Sequence, residues 1–474
     1  MTVKRIGIVG AGMAGIQALG AYLKNDNLSC EIHIFDSKKH SGYGLPFIPD
    51  DKSLLLNQPQ DQMSLTEEPN HYKEWIEKHH PKEAKNRFTT RWRFGEYSRQ
   101  LFDIYLEDKR VHHHTLMINN LKITDEYFTL VDENNKTHTF DVVHLCFGQM
   151  PYSDPYDLKN EKGYYGNPYP LSRIKNKLLK SKNIGIVGCG LSAVDFFIFL
   201  QTKNYKGHIF FLCHGQRFPL IRAKDIDALA LPHLDKVMRR KHIRLADILT
   251  AFKADAQHFE IDLEHYIPKI NGHPLSELLF QEKHLEKLGI LQHMVLKYHD
   301  DYPTVWNQFT LEEQNTFAED YLDIFQLIKS PMPLRSARKI IKGIETSSTH
   351  IVAFINRIEK KRKYFHVETT TDTLKIETIL NGTGPVFQPK DAGHDAPILP
   401  LVESMLNERI LQQYNDSCFE VTFPDFSVVS QRYGILQNLK LHGQTVAGIN
   451  LANNDIGVIG NGVRSAVADV ISRF

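Results

Sequence analysis

At 474 residues the chain exceeds what one hydrophobic core usually serves, so two or more domains are expected. Its 57 Lys and Arg against 56 Asp and Glu give a net charge of +1, which implies no nucleic-acid or membrane-surface partner and leaves any charged ligand to be met locally. Five cysteines without a C-x-x-C pair argue against a disulfide framework, a zinc site and a dithiol redox centre; with no signal peptide and no apolar run near ~20 residues, a reducing cytoplasm is the expected location.

Ile6–Val9 is a short apolar run suited to a buried parallel strand, and Gly10-Ala11-Gly12-Met13-Ala14-Gly15 leads from it into a helical stretch, Ile16–Lys24. Gly10 permits a tight turn, Gly12 lets the backbone approach a pyrophosphate, and Gly15 allows close packing of helix on strand. The helix N-terminus then offers unpaired N–H groups to phosphates. The next strand, Glu31–Phe35, ends in Asp36, an acid placed to accept hydrogen bonds from a ribose diol.

Arg91, Arg93 and Arg99 either meet an acidic substrate or an FAD phosphate, or pair with surface carboxylates; the pattern leaves both open. Val111–Val131 reads as hairpin-like strands. Within it, His112-His113-His114 alternate faces and cannot all converge on one ion, so no metal site is expected. A strand over Val142–Phe147 ends at Gly148, and Ile379–Pro385 repeats that ending at Gly384. Such endings suggest crossings between domains, and both glycines are taken as cofactor-binding positions.

A second strand–turn–helix follows: Ile184–Val187, then Gly188-Cys189-Gly190-Leu191-Ser192-Ala193, a helical run Val194–Gln201 and a strand Ile209–Cys213. Ser192 is a candidate phosphate contact and Ala193 still allows close helix packing. The gapless spacing from Gly10 to Asp36, applied from Gly188, lands on His214, with Arg217 three residues on. Arginine pairs with a 2′-phosphate that a carboxylate would repel. The two turns therefore predict FAD at the first and NADPH at the second, an arrangement for hydride transfer.

Residues 225–345 are mostly helical by pattern, as in Leu311–Phe325. In the tail, Gly457–Arg464 reads as a glycine turn opening a helix, with Asn461, Gly462 and Val463 expected beside the flavin ring near N1. The expected fold class is α/β, with two Rossmann-like dinucleotide-binding domains. The FAD domain is discontinuous (1–160 and 375–474), and the NAD(P)H domain (161–374) with its helical insertion lies inside it.

The motifs "GAGMAG", "GYGLPF" (42–47), "LLLNQPQDQMSL" (54–65), "EPNHYKEWI" (68–76), "RFGEYSRQLF" (93–102), "GCGLSAVD" (188–195), "HGQRFP" (214–219) and "NGTGP" (381–385) together resemble the YdhS-like FAD/NAD(P)-binding proteins, related to flavin-dependent N-hydroxylating monooxygenases. The resemblance implies FAD held at residues 10–15 and 36, with Asn57, Gln62 and Met63 approaching the flavin. It also implies, as in some relatives, oxygenation of the amino group of a small amino acid with NADPH and dioxygen. The expected activity is thus hydroxylation of a small amine through a flavin hydroperoxide. A reductase passing electrons to a small acceptor or protein, and a non-catalytic nucleotide sensor, are the alternatives.

Overall fold

A parallel strand can sit at the centre of a sheet only if both its faces are covered, and β1 (Lys4–Val9) has the residues for it: Ile6, Ile8 and Val9 are buried. The computed structural model describes residues 3–385 and 399–474, apart from 125, 149, 216, 225, 227, 228, 416 and 417. From β1 the chain turns through glycines into α1 (Met13–Leu23) and returns in β2 (Cys30–Phe35). After α2 (Arg91–Tyr105) come β3 (Val111–His114) and three antiparallel strands, β4 (Ile118–Ile123), β5 (Phe128–Asp132) and β6 (Thr137–Phe140), then β7 (Val142–Leu145). The hairpin-like region is thus divided. β3 leaves it and pairs in parallel with β2, and only the three strands that follow form an antiparallel sheet.

The same opening recurs in β8 (Tyr164–Tyr165), β9 (Asn183–Val187), α3 (Leu191–Thr202), β10 (His208–Cys213), β11 (Thr349–Ala353) and β12 (Thr378–Asn381). These strands form a parallel sheet in the order β11-β10-β9-β12-β8. Between β10 and β11 lies the helical insertion, whose helices fall within residues 234–345; the run read as one helix breaks at Tyr321 into Leu311–Asp320 and Leu322–Lys329. Buried glutamines stitch it to the short strand Ile221–Arg222: Ile221 N–H donates to Gln281 Oε1 (2.8 Å), and Gln292 Nε2 donates to the Ile221 carbonyl (2.7 Å). The basic stretch Lys360–Lys363 lies at the tip of an antiparallel pair, Arg357–Lys361 with Tyr364–Glu368.

Finally β13 (Ser427–Ser430), β14 (Gly434–Leu441) and α4 (Ile456–Ile471) complete the first sheet, in the order β13-β14-β7-β1-β2-β3. The chain accordingly divides into two compact units, residues 1–153 with 385–474, and residues 154–384. In the first unit, Ile6 and Ile8 pack with Ile16, Leu19 and Tyr22 of α1 and Val463 and Val467 of α4, while Val9, Phe35 and Leu145 share the opposite core with Leu121, Leu130 and Phe140. In the second, Val187, Leu212 and Ile379 pack with Phe365, Val367 and Ile376. Among the described residues no helix is long and apolar enough to cross a membrane.

A buried cation lies inside the first unit. Lys440 of β14 is fully buried, and its ammonium donates to Asp425 Oδ2 (3.1 Å), Ser427 Oγ (2.8 Å) and Asp469 Oδ2 (2.5 Å) on α4. Burial pushes the Asp425 carboxyl up, but hydrogen bonds from Ser427 and Thr422 and the Lys440 charge overcome it and hold the group at about 2. An unfolded aspartate titrates near ~3.9. The contribution of this carboxylate to stability is therefore full above that pH and is lost as pH falls towards 2. Lys440→Met should lower stability by about 2 kcal/mol, a value reduced from that of a fully buried pair because both carboxylates are partly exposed. Urea titrations from pH 6 down to pH 2 should also show a flatter acid limb in the variant; an unchanged limb would contradict this account.

Candidate dinucleotide-binding turns

The N-terminal turn is set by a few hydrogen bonds. Gly10, at φ +106°, donates its N–H to the Phe35 carbonyl (2.7 Å), while Cys146 N–H donates to the Val9 carbonyl (2.7 Å). These bonds fix the end of β1 between β2 and β7, where the strand order reverses, the place at which open α/β sheets receive ligands. Asp36 Oδ2 accepts from Ala11 N–H (2.8 Å) and Oδ1 from Ser37 N–H (2.7 Å), so the acid is tied to the turn while its remaining lone pairs stay available to a ribose. Burial raises its carboxyl above the usual range, opposed by those backbone bonds. Gly12 is the N-cap of α1, with no side chain capping the helix, so no side chain competes with a phosphate for its first-turn N–H groups. Gly15 is required by packing: a Cβ there would lie 1.9 Å from the Gly10 carbonyl oxygen. Ala14 is buried beside it.

The second turn repeats this geometry. Gly188 (φ +100°) donates to the Leu212 carbonyl (2.8 Å), Gly382 N–H donates to the Val187 carbonyl (2.9 Å), and Gly190 caps α3 without a side-chain cap. Ser192 lies half-buried in the first helical turn, and Ala193 is fully buried against Gly382. Matching Cys146 to Gly382 also matches Gly148 to Gly384. Both have positive φ (+81° and +90°), and an added Cβ would meet nothing within 4 Å, so both are glycines at an open strand end.

Strand register corrects one assignment. Val9 pairs with Phe35 and Val187 with Leu212, so the second unit is one residue shorter between turn and strand end. The counterpart of Asp36 is Cys213, not His214. Cys213 is joined by a disulfide to Cys189, the counterpart of Ala11, with Cα atoms 5.9 Å apart. The link that Asp36 makes by a hydrogen bond in the first unit is thus covalent in the second. The cysteine count argued against a disulfide framework, and this single bond escaped it: a separation of 24 residues carries no local signal, and adjacent parallel strands bring the two together. His214 is exposed, and the Arg217 guanidinium pairs with Asp323 Oδ2 (3.1 Å), itself 84% exposed.

The C-terminal assignment also moves. α4 begins at Ile456, not after the glycines, because Asp455 caps it by accepting from Gly457 N–H (2.8 Å) and Val458 N–H (3.3 Å). Asn461, Gly462 and Val463 lie inside the helix; Val463 is buried in the core, and a Cβ on Gly462 would come within 2.9 Å of the Phe426 ring. These glycines serve packing, and their place at the helix N-terminus is taken by Asp455, to which Gln58 Nε2 donates. Gln58 is the residue that the sequence reading passed over in the "LNQP" loop. Its neighbour Asn57 is half-buried, Gln62 is exposed, and the Met63 side chain is buried with Leu56 and Leu65. Of the three arginines, Arg93 is held by Glu83 and Glu96 (2.6 Å each), Arg99 by Asp103 (2.5 Å), and Arg91 Nε donates to the Leu55 carbonyl (3.2 Å). Carboxylate pairing is the arrangement found for Arg93 and Arg99.

Residues 7–150 match a family model described as FAD-NAD(P)-binding. Over 211 residues the chain is 24% identical to the uncharacterised protein YdhS of Escherichia coli K12, a match spanning 41% of this chain and 38% of that protein. Whole-chain similarity is found to FAD-bound DfoA, the cadaverine monooxygenase of Erwinia amylovora, with a TM-score of 0.65 at 11% identity over 100% of this chain and 95% of that one. The ornithine N-hydroxylase KtzI of Kutzneria sp. 744 gives 0.60 at 11% identity, covering both chains fully. The chain shares its fold with both of these enzymes.

Gly190 separates a ligand's requirement from a folding one. Its φ is −72° and a Cβ there would meet nothing within 4 Å, so the protein alone has no need of glycine at that place. Gly190→Ala should therefore keep the wild-type melting temperature while weakening binding of a nicotinamide dinucleotide about tenfold, or by about 1.4 kcal/mol, when titrated by fluorescence. Unchanged affinity would contradict a pyrophosphate at this turn.

Proposed function

We propose that this protein is an FAD- and NADPH-dependent monooxygenase that hydroxylates the amino group of a small amine with dioxygen. The observation that carries the reading is the pair of turns: the same uncapped helix start occurs twice, with a carboxylate kept at the first strand end and absent from the second. A carboxylate favours a free ribose diol and repels a 2′-phosphate, so the first turn suits FAD and the second accepts NADPH. The fold is shared with enzymes whose substrates are cadaverine and ornithine, both small amines, which supports the amine as substrate class.

In this reading the backbone at Gly10–Gly15 receives the FAD pyrophosphate, and Asp36 orients the ribose by accepting from its hydroxyls. Gly148 leaves room at the open strand end beside them. Gly188, Gly190, Ser192 and Ala193 receive the second pyrophosphate in the same way, with Gly384 as the corresponding open position. Arg217 supplies positive charge to the 2′-phosphate, exchanging its exposed partner Asp323 for it, and His214 offers a ring N–H beside it. Bound FAD, reduced by NADPH, supplies the oxygen-activating chemistry. The chain's contribution is to hold both nucleotides and keep the reacting centre from water.

Arg217→Ala should raise the dissociation constant for NADPH about tenfold and leave that for NADH unchanged; equal losses would remove the 2′-phosphate role. For the reaction, FAD-loaded protein supplied with NADPH, oxygen and a panel of small amines (cadaverine, ornithine, lysine, aspartate) should form a hydroxylamine in proportion to NADPH consumed. NADPH turnover under argon with a quinone, and no hydroxylamine from any amine, would instead establish the reductase reading.

A further inference from the structure

The face of the first sheet that meets the three antiparallel strands carries a group of histidines with no part in the dinucleotide turns. Consecutive histidines on β3 do alternate faces: His113 turns to the α2 side, its Nε2 3.0 Å from Ser41 Oγ. His112 and His114, however, share the other face, and the register pairs His112 with His33 of β2. Two residues before His33, on the same face, is Glu31. His112 thus meets residues of the neighbouring strand without His113 or His114 having to converge on the same point.

We propose that Glu31, His33 and His112 form a binding site for a divalent transition-metal ion, zinc by the chemistry of its ligands. One ligand atom from each lies within 4.8 Å of the other two. His33 has the disposition of a metal ligand: Nδ1 lies 2.9 Å from His114 Nε2, which orients the ring, while Nε2 is buried and has no hydrogen-bond partner among the described residues. A ligating histidine typically uses its second ring nitrogen in this way, and a buried nitrogen left without a partner otherwise costs stability.

Glu31 Oε2 lies 3.8 Å from His33 Nε2, and the His112 ring centroid lies 4.7 Å from that of His33. Tetrahedral zinc with ligands at about 2.0–2.2 Å separates ligand atoms by about 3.4 Å. Closure therefore asks for a small inward rotation of Glu31 and His112, both exposed. Three protein ligands leave a fourth position to water. The Arg5 guanidinium competes for the carboxylate, with Nε 3.8 Å from the same Glu31 oxygen. A bound ion would bridge edge strand β3 to β2, the strand that ends at Asp36, across one face of the sheet.

The test is a zinc titration of the full chain after chelator treatment and dialysis, read by calorimetry and by thermal melting. The wild type should bind one zinc per chain and melt higher in its presence. His114→Ala, which removes the group orienting His33, should weaken binding about tenfold. His112→Ala and Glu31→Gln, at exposed positions where the fold does not depend on the side chain, should each weaken it more and abolish the rise in melting temperature. Arg5→Ala should tighten binding about threefold by freeing Glu31. His113→Ala, on the opposite face, should match the wild type. Absence of a stoichiometric site, or an equal loss in H113A and H112A, would overturn the proposal.

Discussion

The structure depends on one backbone constraint, used twice: the first glycine of each turn donates its N–H to the carbonyl at the end of the neighbouring parallel strand, Gly10 to Phe35 and Gly188 to Leu212. That bond requires a left-handed glycine, and the turn it fixes releases the chain into a helix whose N-terminus points away from the sheet. Because the helix N-cap is itself a glycine, no side chain closes the helix end. The third helix of this kind, α4, differs in having an aspartate cap. Its N-terminus is satisfied from within the protein, while the other two have no side-chain cap.

The two turns then diverge at one pair of equivalent positions. Asp36 holds Ala11 by a charged hydrogen bond; Cys213 holds Cys189 by a covalent one. Both anchor the glycine turn to the second strand, so the cradle keeps its shape in either case. They differ in what they present to an incoming ribose: a carboxylate, which favours a diol, or a neutral sulfur pair, which neither attracts a diol strongly nor repels a phosphate. In the proposed reading, the difference in cofactor rests on that exchange more than on His214, which lies one residue beyond.

Much of this was legible in the sequence because it is local. An apolar strand, a glycine turn and a helix occupy one continuous segment, and their spacing carries the turn's geometry directly. What the sequence hid is non-local or depends on register. The one-residue offset between the units is invisible to a gapless count, and with it the pairing of Cys189 with Cys213. The glycines of α4 resembled a turn because their packing role is decided by partners far along the chain: a Cβ on Gly460 would lie 1.9 Å from Gln17 Oε1 of α1. Gln58 and Asp455, 397 residues apart, meet for the same reason. The histidine face was missed because a single strand supplies only half of it.

The central claim is that two chemically different dinucleotide sites cooperate in one chain, and it is tested most directly by the absorbance of the FAD-loaded protein under anaerobic titration. The account predicts one FAD per chain, bleached by stoichiometric NADPH and much more slowly by NADH. Flavin that binds but is reduced by neither nicotinamide would contradict it, and would leave the second turn as a fold element without a hydride donor.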